Sequence, residues 1–180
     1  MELAREDILT PFEKLLSHIK KVIRKEVCWC LSNLSACSFS EVQLLINKES
    51  LIRKLLDLLT HNETEIQLEI VWIFRNLATV HQPIMYAFMR TYRVVRYIVS
   101  LLVSTLEPRL QEAALSALKM LLKLGEQFQE NGSNALLIEL KQLGVLPKIE
   151  DLQLSDTTAV YELALSILEE FCETVDPLNR

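Results

Sequence analysis

The chain has 180 residues, 50% of them apolar and 24% charged, which suits one packed unit and is too apolar for a disordered chain. Its 24 acidic residues against 19 Lys and Arg leave a net charge of −5, which argues against a general nucleic-acid binder, since phosphate contacts need a basic surface. Three glycines are too few for Gly-rich phosphate loops or a hairpin-rich β fold, and the leucine-rich remainder points to an all-α chain.

Taken in chain order, the opening residues Met1 to Asp7 are acidic and carry no apolar signal-peptide core. Apolar spacing then predicts helices over Ile8–Leu16 and Lys20–Ser35, with Cys28, Cys30 and Cys37 in or beside the second. A short helix (Ser40–Asn47), a second (Leu51–Leu59) and a longer third (Thr64–Ala78) follow. The same three-part pattern returns as Pro83–Met89, Val94–Ser104 and Pro108–Leu124. It returns again, after the polar insertion Gly125 to Asn134, as Ala135–Leu143, Pro147–Leu152 and Thr158–Cys172. The longest apolar stretch, Val94 to Leu106, is broken by Arg96 and too short to span a bilayer, so no membrane partner is expected.

The pattern is a repeat. Glu26, Trp29, Asn33 and Leu34 recur 43 residues on as Glu69, Trp72, Asn76 and Leu77. A third copy begins at Glu112, again 43 on, and a fourth at Glu162, displaced by the insertion. A period near 43 belongs to solenoids whose units each contain two or three helices. The boundaries read as 1–37 (a partial unit, second and third helices only), 38–80, 81–133 with the insertion, 134–173, and a polar tail at 174–180. A chain that starts in mid-repeat is expected to leave Leu9, Phe12, Leu15 and Leu16 without an upstream neighbour, and to be the C-terminal end of a longer solenoid.

The third helices carry the functional signal. At about 100° per residue, the core stripe of the first copy is expected to hold Ile23, Val27, Cys30, Leu31 and Leu34. That of the second holds Ile66, Ile70, Ile73, Phe74 and Leu77. Trp29 and Trp72 fall on the opposite faces, each with a glutamate three residues before it and an asparagine four after. Stacked helices sit about 8–10 Å apart and an extended peptide advances about 3.3 Å per residue, so the two rings are spaced by about three ligand residues. The stem of a ligand Lys or Arg fits between such walls, its charge met by cation–π attraction and by Glu26 and Glu69. Asn33 and Asn76 each offer a donor and an acceptor to a ligand backbone. The competing use of the same residues is packing of the tryptophans between neighbouring helices and bonding of the asparagines to local backbone.

These residues carry a resemblance. The segment Lys25-Glu26-Val27-Cys28-Trp29-Cys30-Leu31-Ser32-Asn33-Leu34 resembles the third helix of an importin-α armadillo repeat, as does Glu69 to Leu77. Leu118 to Glu126 resembles that family's penultimate repeat, and Gly144 to Gln153 with Tyr161 to Ala164 resembles its last. The resemblance covers nearly the whole chain in order. It implies an armadillo-repeat right-handed superhelical solenoid of about three and a half repeats. It also implies a nuclear-import adaptor, shared between cytoplasm and nucleus, that binds basic nuclear localisation signal peptides. Trp29, Asn33, Trp72, Asn76, Glu26 and Glu69 match the peptide-binding pattern of the minor, C-terminal signal site, and the last repeats are expected to contact the export receptor. Importin-β binding is not expected, because the sequence has no dense Lys/Arg run. The alternative is an armadillo scaffold for protein–protein contacts outside transport.

The sequence departs from the family in three places. Arg75 stands where a small residue is usual and is expected to repel a basic ligand. The glycine that precedes the second helix survives only as Gly144. The third copy has Leu115 and Lys119 in place of Trp and Asn, so the groove is expected to close there. Nothing points to an enzyme, a cofactor or a metal. Cys28 and Cys30 diverge by about 200° on a helix, against a shared metal. Arg90, Arg93 and Arg96, interleaved with Tyr86, Phe88, Tyr92 and Tyr97, read as a solvated basic patch over packed aromatics rather than a nucleic-acid surface.

Overall fold

The computed structural model describes residues 8–80 and 82–172. Expectations for the acidic first residues and for the tail from Glu173 lie outside the described residues. Among the described residues eleven α-helices follow one another. The first pair is α1 (Leu9–Leu15) and α2 (Lys21–Ser35). A triplet follows, α3 (Phe39–Asn47), α4 (Glu49–Leu59) and α5 (Thr64–Ala78). The next is α6 (Pro83–Thr91), α7 (Val94–Ser104) and α8 (Pro108–Gln127). The last is α9 (Ala135–Gln142), α10 (Leu146–Leu152) and α11 (Thr158–Ile167). Among the described residues there is no strand, only a bridge between Glu130 and Ser133. The fold is an all-α armadillo solenoid.

Local chemistry sets the helix starts. Pro83 and Pro108 open α6 and α8, where a missing N–H costs nothing, and Pro147 sits in the first turn of α10. Gln67 and Gln111, the fourth residues of α5 and α8, are buried yet satisfied. Gln67 Nε2 donates to the carbonyls of Leu59 (3.0 Å) and His61 (2.6 Å), and Gln111 Nε2 to that of Thr105 (3.1 Å). Each thus ties the end of a second helix to the start of a third. The turn into α10 passes through Gly144 at φ +65°, whereas the equivalent turn into α7 passes through Arg93 at φ +51°, a conformation unfavourable to a residue with a Cβ.

The third helices stack side by side, α2 on α5, α5 on α8 and α8 on α11, and one core runs from Leu9 to Phe171. All five residues of the expected α5 stripe are fully buried, and each contributes about 1.5–3 kcal/mol. The α2 stripe is rotated from expectation. Val27, Cys28, Leu31, Ser32 and Ser35 are buried, while Ile23, Cys30 and Leu34 are only half-buried. Small side chains at 28, 32 and 35 form the seat for α5, and burial pushes the Cys28 thiol up to about 12.

Other boundaries differ for physical reasons. The insertion begins inside α8, which runs on through Gly125 to Gln127. Its remainder turns at Asn131 and Gly132 and docks on α6, where Tyr86 Oη donates to Glu130 Oε1 at 2.7 Å. The last third helix does not stay α to Cys172. It widens into a π turn over Leu168–Cys172 that carries Leu168 and Phe171 into the core. At the other end, Leu9 and Leu16 are not exposed as expected but buried, with α1 packed on α4, and Phe12 is half-buried. The exposed apolar side chains there are Ile8, Leu15, Ile19 (91% exposed) and Val22 (68%).

Candidate functional site

The site is built on α2 and α5. Trp29 lies beyond the rotated α2 stripe and is 51% exposed; Glu26 and Asn33, on the same side of the helix, are also exposed. The first row is therefore open to a ligand. The second row is not equivalent. Trp72 is half-buried and packs against the core, Glu69 and Asn76 are half-buried, and each of these two polar side chains reaches towards α2.

Two residues to which the sequence assigns no role, Ser32 and Ser35, hold that row in place. The Ser32 hydroxyl shares its one proton between the Trp29 carbonyl at 2.9 Å and Glu69 Oε2 at 3.2 Å. Asn76 Nδ2 donates to the Ser32 carbonyl and to Ser35 Oγ, both at 3.2 Å. The Asn76 oxygen accepts from Arg75 Nη1 at 3.5 Å. The carboxamide thus bridges two third helices, whereas Asn33 remains at the surface. The only hint in the sequence is the run of small residues at 28, 32 and 35, which a hydrophobic stripe overlooks.

Arg75 was expected to repel a ligand; in the structure it also occupies the pocket. Its guanidinium carbon lies 5.6 Å from the centroid of the Trp72 ring, within cation–π range. Its Nε donates to Ser116 Oγ of α8 at 3.4 Å. The place beside Trp72 that an incoming Lys or Arg stem would take is filled by a side chain of the chain itself.

Beyond α5 the rows change character. Leu115 is fully buried and does not line the groove. Lys119 turns to the last unit, bonding Ser166 and pairing with Glu170 at 2.6 Å. That bond from Lys119 holds the Glu170 carboxyl below the usual carboxylate range. The groove floor therefore runs from acidic and open (Glu26, Trp29), through cationic (Arg75), to a closed ion pair.

A second surface lies away from these rows. Arg90, Arg93 and Arg96 line a cleft of about 570 Å³ with Glu130 and Glu139. The aromatics beneath are packed, Phe88 on Tyr92 at 4.8 Å between ring centroids and Tyr86 on Phe128 at 6.0 Å. Among the described residues no group of three or more His, Cys, Asp or Glu could hold a metal ion, and no helix is long and apolar enough to cross a membrane.

The armadillo/β-catenin-like repeat model matches residues 1–36 and 40–79. Importin subunit alpha-4 of Arabidopsis thaliana is 36% identical over 165 residues, 87% of this chain, and the chain spans 30% of that protein's length. Among solved structures, computationally designed armadillo repeat proteins for modular peptide recognition superpose with a TM-score of 0.77 at 23% identity, covering 91% of this chain and 64% of theirs. A designed armadillo repeat protein in complex with the peptide (KR)4 gives 0.75 at 24% identity, with 91% and 64% covered. Fold and homology together support a protein-binding role built on repeats. The chain is an importin-α-like armadillo-repeat protein.

Proposed function

We propose that the chain is an importin-α-like adaptor, working in cytoplasm and nucleus, that takes basic nuclear localisation signal peptides of cargo proteins along the face built by α2 and α5. It acts by binding and not by catalysis. The observation that carries this is the open row of α2: a half-exposed tryptophan with a carboxylate and a free-standing carboxamide on either side of it. Such a row accepts the stem of one Lys or Arg on the ring, its charge against Glu26, and an extended backbone on Asn33. Its 43-residue step in sequence to the Trp72 row resembles the pattern of the minor signal site of the importin-α family. The export receptor of that family is the proposed partner of the last repeats. The second reading, a scaffold outside transport, is favoured by one observation, that Arg75 already lies against Trp72.

A labelled Lys/Arg-rich peptide, followed by fluorescence anisotropy, tests the proposal. Trp29→Ala is expected to weaken binding by about 1–3 kcal/mol, through loss of the stacking wall. Trp72→Ala is expected to cost less, because its ring is already half-buried under Arg75. Binding that is absent at high micromolar peptide, or indifferent to Trp29→Ala, gives the scaffold reading precedence.

A further inference from the structure

We infer that Arg75 makes this groove a reader of mixed charge: its ligand is an extended peptide with a basic residue on Trp29 and an acidic residue about three positions away, on Arg75. The inference rests on the groove-binding proposal and names the class of peptide that groove selects.

Three observations carry it. The guanidinium of Arg75 is held in place, stacked 5.6 Å from the Trp72 centroid and bonded on two sides to Ser116 Oγ and Asn76 Oδ1. Both partners are neutral, and among the described residues Arg75 pairs with no carboxylate, although its surroundings half-bury it. A half-buried cation without a counter-charge favours an anion from outside. The next cation along the floor, Lys119, differs in having a carboxylate partner of its own chain, Glu170 at 2.6 Å, which Lys123 also approaches at 3.6 Å. Of the repeating glutamates, Glu26 lies beside Trp29, Glu69 lies against Ser32 Oγ at the α2–α5 seam, and half-buried Glu112, one turn before Ser116, forms no ion pair with Arg75 among the described residues.

The register follows from the stacking of α2 against α5. Helices about 8–10 Å apart and a ligand advancing about 3.3 Å per residue put one row about three residues from the next. A ligand carboxylate at that step meets the edge of a planar donor fork already oriented by its stack, with little side-chain entropy left to lose. A basic residue at that step meets a like charge and a tryptophan face that is taken. The carboxylate also replaces the role of the missing asparagine, since Asn76 is spent on Ser32 and Ser35.

The test uses the full chain and labelled peptides of one length at fixed ionic strength. One peptide is the all-basic (KR)4 sequence. Two have the same net charge as each other, carrying one glutamate either three positions from a central arginine or next to it. Both orders of the pair are included, since the groove's polarity is to be read from the result. Wild type is expected to bind the three-position peptide roughly tenfold tighter than its adjacent-glutamate twin. Arg75→Gln is expected to erase that preference and Arg75→Glu to transfer it to (KR)4, with Trp29→Ala weakening every peptide. Equal binding of the two twins by wild type, or a ranking unmoved by Arg75→Gln, overturns the inference and leaves groove binding standing. If no peptide binds wild type or either Arg75 variant, groove binding itself falls and the inference with it.

Discussion

At the residue scale, Asn33 and Asn76 show how one motif serves two ends. Their places in the repeat are the same, four residues after a tryptophan, yet Asn33 is exposed and Asn76 joins α5 to α2. From sequence both point away from the core stripe, which predicts that neither affects stability. The structure corrects this for Asn76. Asn76→Ala removes two hydrogen bonds and leaves buried Ser35 Oγ without a donor, while the Ser32 carbonyl keeps its bond from the Ser35 hydroxyl at 2.6 Å. It is expected to cost about 1–2 kcal/mol in urea unfolding, and Asn33→Ala less than about 0.5 kcal/mol. Equal midpoints for the two variants would mean that the Asn76 bridge adds nothing beyond what water supplies. The open row was legible because Trp, Glu and Asn are uncommon together on the polar side of a helix. The occupied row was not, because its occupant, Arg75, gains its meaning from Ser116 one repeat away, and from Ser32 and Ser35, whose small size hides them from any hydrophobic count.

At the element scale, boundaries were legible where chemistry punctuates the chain. Helix α5 from Thr64 and α7 to Ser104 coincide with their sequence readings, and α6 and α8 start on prolines. Ends were missed where a tertiary contact overrides local preference. Gly125 reads as a stop, yet it lies inside α8 because another element needs its missing side chain. Asn134 caps α9 there: its Oδ1 accepts from the Leu137 N–H at 3.1 Å, and its Nδ2 donates to the Leu122 carbonyl at 2.8 Å. A Cβ on Gly125 would meet Asn134 Cγ at 2.9 Å, with Oδ1 closer still. The glycine is kept as room for a cap and not for its conformational freedom. Gly125→Ala should therefore destabilise by about 1–2 kcal/mol despite the higher helix propensity of alanine. In an Asn134→Ala background the sign should reverse. A double-mutant cycle by thermal unfolding checks it, and additive effects would show that the crowding is relieved elsewhere.

At the scale of the whole molecule, each unit touches only its neighbours, so stability is the sum of unit and interface terms and need not be uniform. Helices α5 and α8 have a third helix packed on both sides and stripes with no solvent exposure. Helix α11 has a third helix only on the α8 side, in the described residues. Helix α1 has seven residues, and only Leu9 of them is buried, with Leu16 just beyond. Polar contacts tie it to α4 and to the residue before α4, Lys54 Nζ on the Glu13 carbonyl at 2.9 Å and Lys48 Nζ on Thr10 Oγ1 at 2.9 Å. Beside it Ile8, Leu15, Ile19 and Val22 face solvent. Too short to hold its own turns, α1 depends on its packing against α2 and α4. Amide hydrogen exchange in dilute protein should accordingly be fastest through α1, slower in α2 and α11, and slowest in α5 and α8. Lys54→Met, which removes the bond to Glu13 without shortening the stem, should speed exchange in α1 and leave α8 unchanged. If α1 and α8 exchange at one common free energy, the chain opens as a single cooperative unit and the nearest-neighbour picture fails. A gradient would place the peptide-binding rows of α2 and α5 across the boundary between the least and the most stable parts of the solenoid, so that a ligand spanning both should slow exchange in α1 and α2 more than in α8.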